Sequence, residues 1–223
     1  MTTPNFSFEN KIWSEGFKHI AGVDEVGRGS FAGPVVAAAV TFSPNILHTI
    51  YDIQNDVRID DSKKLTEFQR VRADEWIKDN AITWGIGEVS TSLINRMGIG
   101  KATRAAFRRA IANTNLRLEV RIDYLLIDAF YIPRIRGLRK DRQLAIIKGD
   151  QKSISIAAAS IIAKVYRDKL MLRLSKNSKY INFGWERNKG YGTGEHQRAI
   201  MKYGITRYHR SDFIETYLSK MVR

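Results

Sequence analysis

The sequence contains no cysteine, which excludes disulfide staples, thiolate zinc sites and a cysteine nucleophile. Histidine is scarce too, with four residues, so any metal would be held by oxygen or by one of these imidazoles. That points toward hard cations. The four prolines are scattered, and no Pro/Gly/Ser-rich linker, low-complexity tract or internal repeat divides the chain. No apolar run is long enough to span a bilayer, and the opening MTTPNFSFENKIW lacks the basic-then-apolar layout of a secretory signal. The expectation is a cytoplasmic protein with no membrane partner. Acidic residues are in deficit: 37 Lys and Arg face 23 Asp and Glu, for a formal net charge of +14. Such a surface attracts polyanions through a field that weakens with salt, and nucleic acid is the favoured partner. Charge names no reaction, however, and a non-enzymatic basic RNA-binding protein would fit it equally well.

With 223 residues, 43% of them hydrophobic, the chain can bury a sizeable core, and one domain over 1–223 is expected, acting as a monomer. Ile20 to Val26 and Val35 to Phe42 are rich in β-branched and apolar residues and read as neighbouring strands. Thr66, with Gln69 three residues on, forms a capping-box pattern that opens a helix running to Asn80, with Phe68, Val71 and Trp76 as its apolar stripe. Ile82, Trp84 and Ile86 alternate as in a half-buried strand, and Thr91 opens a long helix toward Asn113. Tyr124 to Ile127 and Leu144 to Ile147 read as buried strands. An alanine-rich helix is expected from about Ser153 to Leu174, a further one from Glu195 to Tyr203 that ends at Gly204, and a last one from Ser211 to Met221. The fold class is mixed α/β.

Four carboxylates lie where α/β sheets build their sites: Asp24 and Glu25 on the first strand, Asp128 at the end of the Tyr124 run, and Asp150 in the turn before the alanine-rich helix. A charge flanked by Gly22, Val23 and Val26 needs a partner, because an isolated buried ion costs several kcal/mol. Clustered carboxylates suit Mg²⁺, which takes octahedral oxygen ligands and keeps waters. Taken singly, an aspartate beside glycine is more often a turn residue or helix cap than a ligand. Adjacent residues of a regular strand also point to opposite faces, so Asp24 or Glu25 must lie at the strand end or act through its carbonyl.

The run Gly22-Val-Asp-Glu-Val-Gly-Arg-Gly29, followed by Ala32-Gly-Pro-Val-Val-Ala37, resembles the signature of the ribonuclease HII family. Asp61-Ser-Lys-Lys-Leu65, Leu126-Ile-Asp128, Lys148-Gly-Asp150, Ser155 to Asp168, Lys189-Gly-Tyr191 with Thr193 and His196, and Tyr208-His-Arg210 with Phe213 follow in that family's order. The resemblance implies a ribonuclease H-like fold, a central mixed sheet flanked by helices, with an α/β core over about 19–175 and a helical substrate-contacting region over about 176–223. It implies endonucleolytic hydrolysis of RNA in RNA/DNA hybrids and at single ribonucleotides in duplex DNA. Asp24, Glu25, Asp128 and Asp150 are then the catalytic set holding two Mg²⁺ or Mn²⁺ ions. Gly27, Arg28, Gly29 and Tyr191 are the readers of the 2′-hydroxyl, while Lys63, Lys64, Lys148 and Lys164 are candidate phosphate contacts. Asp168 is read as supporting structure or substrate contact, against a plain helix-face salt bridge. A resolvase-like nuclease of the same fold would keep the metals and change the substrate.

The sequence departs from the family pattern at Ala129, where a glycine commonly follows the aspartate, and at Asp212, where a serine is usual. It shows neither the N-terminal substrate-binding domain of the sister group ribonuclease HIII nor a terminal peptide of glutamine and paired aromatics for a sliding clamp.

Overall fold

The computed structural model describes residues 3–46, 57–117 and 121–221. Five strands form one mixed sheet in the order β3-β2-β1-β4-β5, with β1 Ile20–Val26, β2 Val35–Thr41, β3 Thr83–Val89, β4 Tyr124–Asp128 and β5 Gln143–Ile146. β1 runs antiparallel to β2 and parallel to β4, so the carboxyl ends of β1, β4 and β5 share one edge. β2 reads Val-Val-Ala-Ala-Ala-Val-Thr and is buried along its length, as a central strand covered on both faces must be.

Helix α1 is Ser7–Ser14, α2 Glu67–Asn80, α3 Thr91–Met97, α4 Ile99–Arg117 and α5 Ile154–Ser175, followed by α6 Trp185–Asn188, α7 Gly194–Tyr203 and α8 Ser211–Met221. α4 covers one face, where Ala102, Ala106, Phe107 and Ala110 pack on Val23, Ala37 and Ile127. It can approach because Gly85 and Gly87 present no side chain: a Cβ on Gly87 would lie 2.0 Å from the carbonyl oxygen of Ala106. α5 and α2 cover the other face, with Ala158, Ala159 and Ile162 of α5 against Val36, Ala38 and Val40. Gly22 plays the matching part there, since its Cβ would stand 2.1 Å from the carbonyl carbon of Ser155. Among the described residues no helix is long and apolar enough to cross a membrane.

Three expectations need correction. The Thr66–Gln69 capping box is present, and Val71 and Trp76 pack half-buried on the core as expected, but Phe68 is 70% exposed and the fully buried residues of α2 are Ala73, Asp74 and Ile77. Position in the first turn, beyond the reach of the sheet, decides this. The helix opened at Thr91 breaks at Gly98, whose φ of +77° suits a glycine, and restarts as α4. On β3 the fully buried face is Thr83, Gly85, Gly87 and Val89, while Trp84 and Ile86 are half-buried and Ile82 is exposed. Apolar alternation marked the strand and its half-buried face, where Trp84 and Ile86 pack on the core beside α5 and α2, but not the deeper face, where a helix packs closest over glycine. Smaller differences are strand β2 ending at Thr41 and an exposed Ile147 just beyond β5.

α1 belongs to the core through an ionisable group. Glu9 is fully buried, and its Oε1 accepts hydrogen bonds from Ser153 Oγ at 2.6 Å and Ser155 N at 3.0 Å at the start of α5. Burial raises its pKa, and these bonds only partly offset that.

Candidate active site

The strand register assembles the carboxylates. Val23 pairs with Ile127 across the parallel β1/β4 ladder, so the next residues, Asp24 and Asp128, stand side by side at the carboxyl ends. Asp24 is paired with Ala38 and therefore faces α5, whereas Glu25 is paired with Ala37 and takes the opposite side. Glu25 is one residue from the end of β1, with its side chain 12% exposed and 3.7 Å from Arg28. Asp150 follows β5 in a turn whose Lys148 has a left-handed φ of +56°. The Gly149 amide donates to Asp128 Oδ1 at 2.8 Å, which ties this turn to the end of β4.

Proton affinities report how these charges feel one another. Asp24 is raised well above its ordinary value, by burial first and then by the charges of Glu25 and Asp128. Glu25 is raised by burial, with Arg28 opposing and Asp128 adding to the effect. In Asp150 the order is burial, then Asp61, with Lys63 opposing. Lys63 closes the cluster with its ammonium 3.7 Å from Asp150 Oδ2. Burial works against that charge, but Asp150, Asp61, Asp24 and Asp128 outweigh it and raise the Lys63 pKa.

The cluster thus favours positive charge, and an all-carboxylate donor set with one ammonium already drawn in fits a hard divalent cation. Among the described residues no three acidic or imidazole side chains already form a grouping sized for one ion.

Asp61 opens the Asp61–Leu65 motif but is not one of the four carboxylates that the sequence marks. It is buried, accepts from Gln151 Nε2 at 3.1 Å and from the Lys63 amide at 3.0 Å, and so fixes the lysine loop beside the Asp150 turn. Its neighbour Ser62 meets Ser160 of α5 at 2.9 Å. The other lysines divide. Lys64 pairs with buried Asp60 at 3.2 Å, Lys164 pairs with Asp168 at 2.9 Å, and Lys148 is exposed. Asp168 thereby makes the helix-face salt bridge.

Two arginines that stand within the quoted motifs, Arg167 and Arg210, are fully buried. Arg167 donates from Nε to Pro34 O at 3.0 Å, from Nη2 to Ala32 O at 3.0 Å and from Nη1 to Lys189 O at 2.9 Å. Arg210 reaches Gly33 O with Nε at 3.1 Å and Nη2 at 2.9 Å, and Arg28 O with Nη1 at 2.8 Å. Neither guanidinium meets a carboxylate within salt-bridge distance among the described residues. Burial and then the Arg167 charge push Arg210 down to about 9. The buried arginines account for the first glycine of the Gly-Arg-Gly element. Gly27, at φ +81°, leaves room for Arg167, whose Nε would lie 2.1 Å from a Cβ there, while Gly29 faces open space. Tyr191 is half-buried, its ring 5.4 Å from the Arg167 guanidinium and 5.8 Å from the Lys164 ammonium. Ala129 keeps its glycine-like turn at φ +68°, so the departure costs backbone strain of about 1 kcal/mol and leaves the carboxylate in place. Asp212 lies in the first turn of α8 and meets Ser211 Oγ at 3.4 Å.

Behind Tyr191 lies a histidine pair. Thr206 N donates to His209 Nδ1 at 2.8 Å, which leaves the His209 proton on Nε2, aimed at His196 Nε2 at 3.1 Å. His196 Nε2 also accepts from Trp185 Nε1 at 3.1 Å, so its own proton sits on Nδ1 and is donated to Tyr191 O at 2.9 Å. Burial and then the His196 charge lower His209 to about 4. The unfolded chain binds this proton near pH 6.5 and the folded one does not until about 4. Stability is therefore full above pH 6.5 and is lost as pH falls toward 4, by roughly 3 kcal/mol. Melting temperatures measured between pH 4 and 7.5 should show this fall, and His209→Asn should flatten it; an unchanged slope in the variant would remove His209 as its source.

Comparison with known proteins agrees with this geometry. Residues 21–216 match the family described as Ribonuclease HII. The Ribonuclease HII of Wolbachia pipientis is 46% identical over 213 residues, covering 96% of this chain and 97% of that protein. That of Pelagibacter ubique is 45% identical over 196 residues, covering 88% and 96%. The crystal structure of the ribonuclease H2 from Pyrococcus horikoshii superposes with a TM-score of 0.69 at 27% identity, covering 87% of this chain and 93% of that one.

Proposed function

Because the chain belongs to the ribonuclease HII family, an enzyme family of metal-dependent hydrolases, we propose that it cuts the RNA strand of RNA/DNA hybrids and, beyond that, duplex DNA at single ribonucleotides. The observation that carries the reading is the placement of Asp24 and Asp128 side by side at adjacent strand ends, with Asp150 coupled to Asp128. On this reading residues 1–223 act as one catalytic unit.

Asp24, Glu25, Asp128 and Asp150 would hold two Mg²⁺ or Mn²⁺ ions, which when bound activate water and neutralise charge on the scissile phosphate and the departing 3′-oxygen. The products are a 5′-phosphate and a 3′-hydroxyl. The carboxylates need no covalent bond to the substrate. Lys63, 80% exposed while tethered to Asp150, can shift to a phosphate oxygen without leaving the cluster. Gly29 lets the backbone approach a sugar, and Tyr191, set by its ring contacts with Arg167 and Lys164, presents a flat face and hydroxyl to the ribonucleotide.

Labelled duplexes carrying no ribonucleotide, one, or many, incubated with Mg²⁺ or Mn²⁺, test the reading directly. Cleavage confined to ribonucleotide-containing strands is expected, and cutting of the all-DNA duplex would overturn it. Tyr191→Ala should lower the rate at a lone ribonucleotide by on the order of tenfold more than the rate within a long RNA tract. Equal losses on the two substrates would argue against junction reading.

A further inference from the structure

Four arginines away from the carboxylates lie along the segment between β4 and β5, and the site as described does not use them. The segment after Asp128 leaves the catalytic edge past Phe130, which lies 5.7 Å from the Arg28 guanidinium on one side and 5.7 Å from the Phe107 ring on the other. It is anchored by Ile132 and Leu138, both buried, and by Gln143, whose side chain accepts from Ile132 N at 3.0 Å and donates to Ile132 O at 3.1 Å. Between these anchors Arg134 and Arg136 point into solvent. Arg108 of α4 joins them by donating to Pro133 O at 3.1 Å. Arg121 joins at the far end, its Nη1 lying 3.0 Å from where a side chain on Gly137 would begin. None of the four forms a salt bridge with an acidic side chain among the described residues; the loop's Asp141 is matched by Arg139 at 3.3 Å.

We propose that Arg108, Arg121, Arg134 and Arg136 form a phosphate-binding surface that holds the duplex on one flank of the scissile step. Guanidinium groups bind phosphate oxygens in pairs and stay charged at any working pH. A rigidly anchored row of them gains more from binding than a flexible tail, because little side-chain and loop ordering remains to be done. Continuity from Arg28 through Phe130 selects nucleic acid over an acidic protein: the row extends the surface that reads the ribonucleotide. From Asp128 to Arg134 the chain can reach at most about 20 Å, so the Arg134 contact falls within roughly six base pairs of the cut, while Arg121, before the amino end of β4, lies farther out. The inference rests on the duplex reading of the site.

The test uses two hairpin-closed duplexes with one ribonucleotide, each carrying a long arm on one side of it and a short arm of about 3 base pairs on the other, in opposite orientations. Arg134→Glu/Arg136→Glu should lower kcat/KM about tenfold through KM on one orientation and leave the other near the parent. Its plot of log kcat/KM against log salt should be shallower by about 2 on the affected substrate. Arg134→Gly/Arg136→Gln, which also relieves the left-handed φ of +60° at Arg134, should show a weaker effect in the same direction at an undiminished melting temperature. Equal losses on both orientations, or none, would overturn the surface. So would unchanged kinetics with lost retention on polyglutamate, which would assign it to an acidic protein. A parent that cuts neither duplex would instead defeat the functional reading itself.

Discussion

Asp24→Asn is expected to lower cleavage by on the order of 10³-fold or more, a loss of about 4 kcal/mol in transition-state stabilisation. The fold should not suffer. Asp24 is 6% exposed, and its carboxylate is disfavoured by burial and by Glu25 and Asp128, so an amide of the same shape removes repulsion while Oδ1 still accepts from Glu25 N, now 2.7 Å away. Melting temperature should hold or rise, and duplex affinity, which arises mainly from lysine and arginine, should change little. Steady-state cleavage, a thermal melt and a binding isotherm on the same preparation decide the matter. Turnover within about tenfold of the parent would remove Asp24 from the catalytic set, and a collapsed melt would make it a structural residue.

Arg167→Ala should have the largest effect on stability, about 3–5 kcal/mol. Arg167 is fully buried and supplies the donors for the carbonyls of Ala32, Pro34 and Lys189. Its loss leaves acceptors unpaired, opens a void beside Gly27, and unties the Gly-Arg-Gly loop from the Tyr191 block. Since whole-chain stability is typically about 5–15 kcal/mol, this loss removes a large fraction of it. A melting temperature lower by ~6 °C or more is expected for a chain of this length. Arg167→Lys keeps a charge but cannot fork to three acceptors, so it should recover only part of the loss. Full recovery would show that charge, not the geometry of the donors, is what the loop requires.

Local pattern made much of the fold legible. β1 begins and ends where its apolar run does, and the Thr66–Gln69 box caps α2 as its spacing implies. These are short-range effects, written in neighbouring residues. The faces were less legible. Phe68 is exposed and Trp84 half-buried because burial depends on which element lies opposite, and the closest packing runs over Gly85, Gly87 and Gly22, where hydropathy registers nothing. The same limit hid the arginines. A guanidinium reads as surface until tertiary contacts show backbone carbonyls converging on it, as they do on Arg167 and Arg210.

What the sequence determined unaided is the chemistry available: oxygen ligands and no thiolates, a surplus of positive charge, and acidic residues at the ends of strands. Which of those residues share a site was decided by the parallel register of β1 and β4, which sets Asp24 beside Asp128. The turn after β5 then brings in Asp150, and Asp61 reaches it through Gln151. The reason is physical: a residue's type fixes its charge and its donors, but distances between groups a hundred residues apart exist only once the strands have paired and the helices have packed across them.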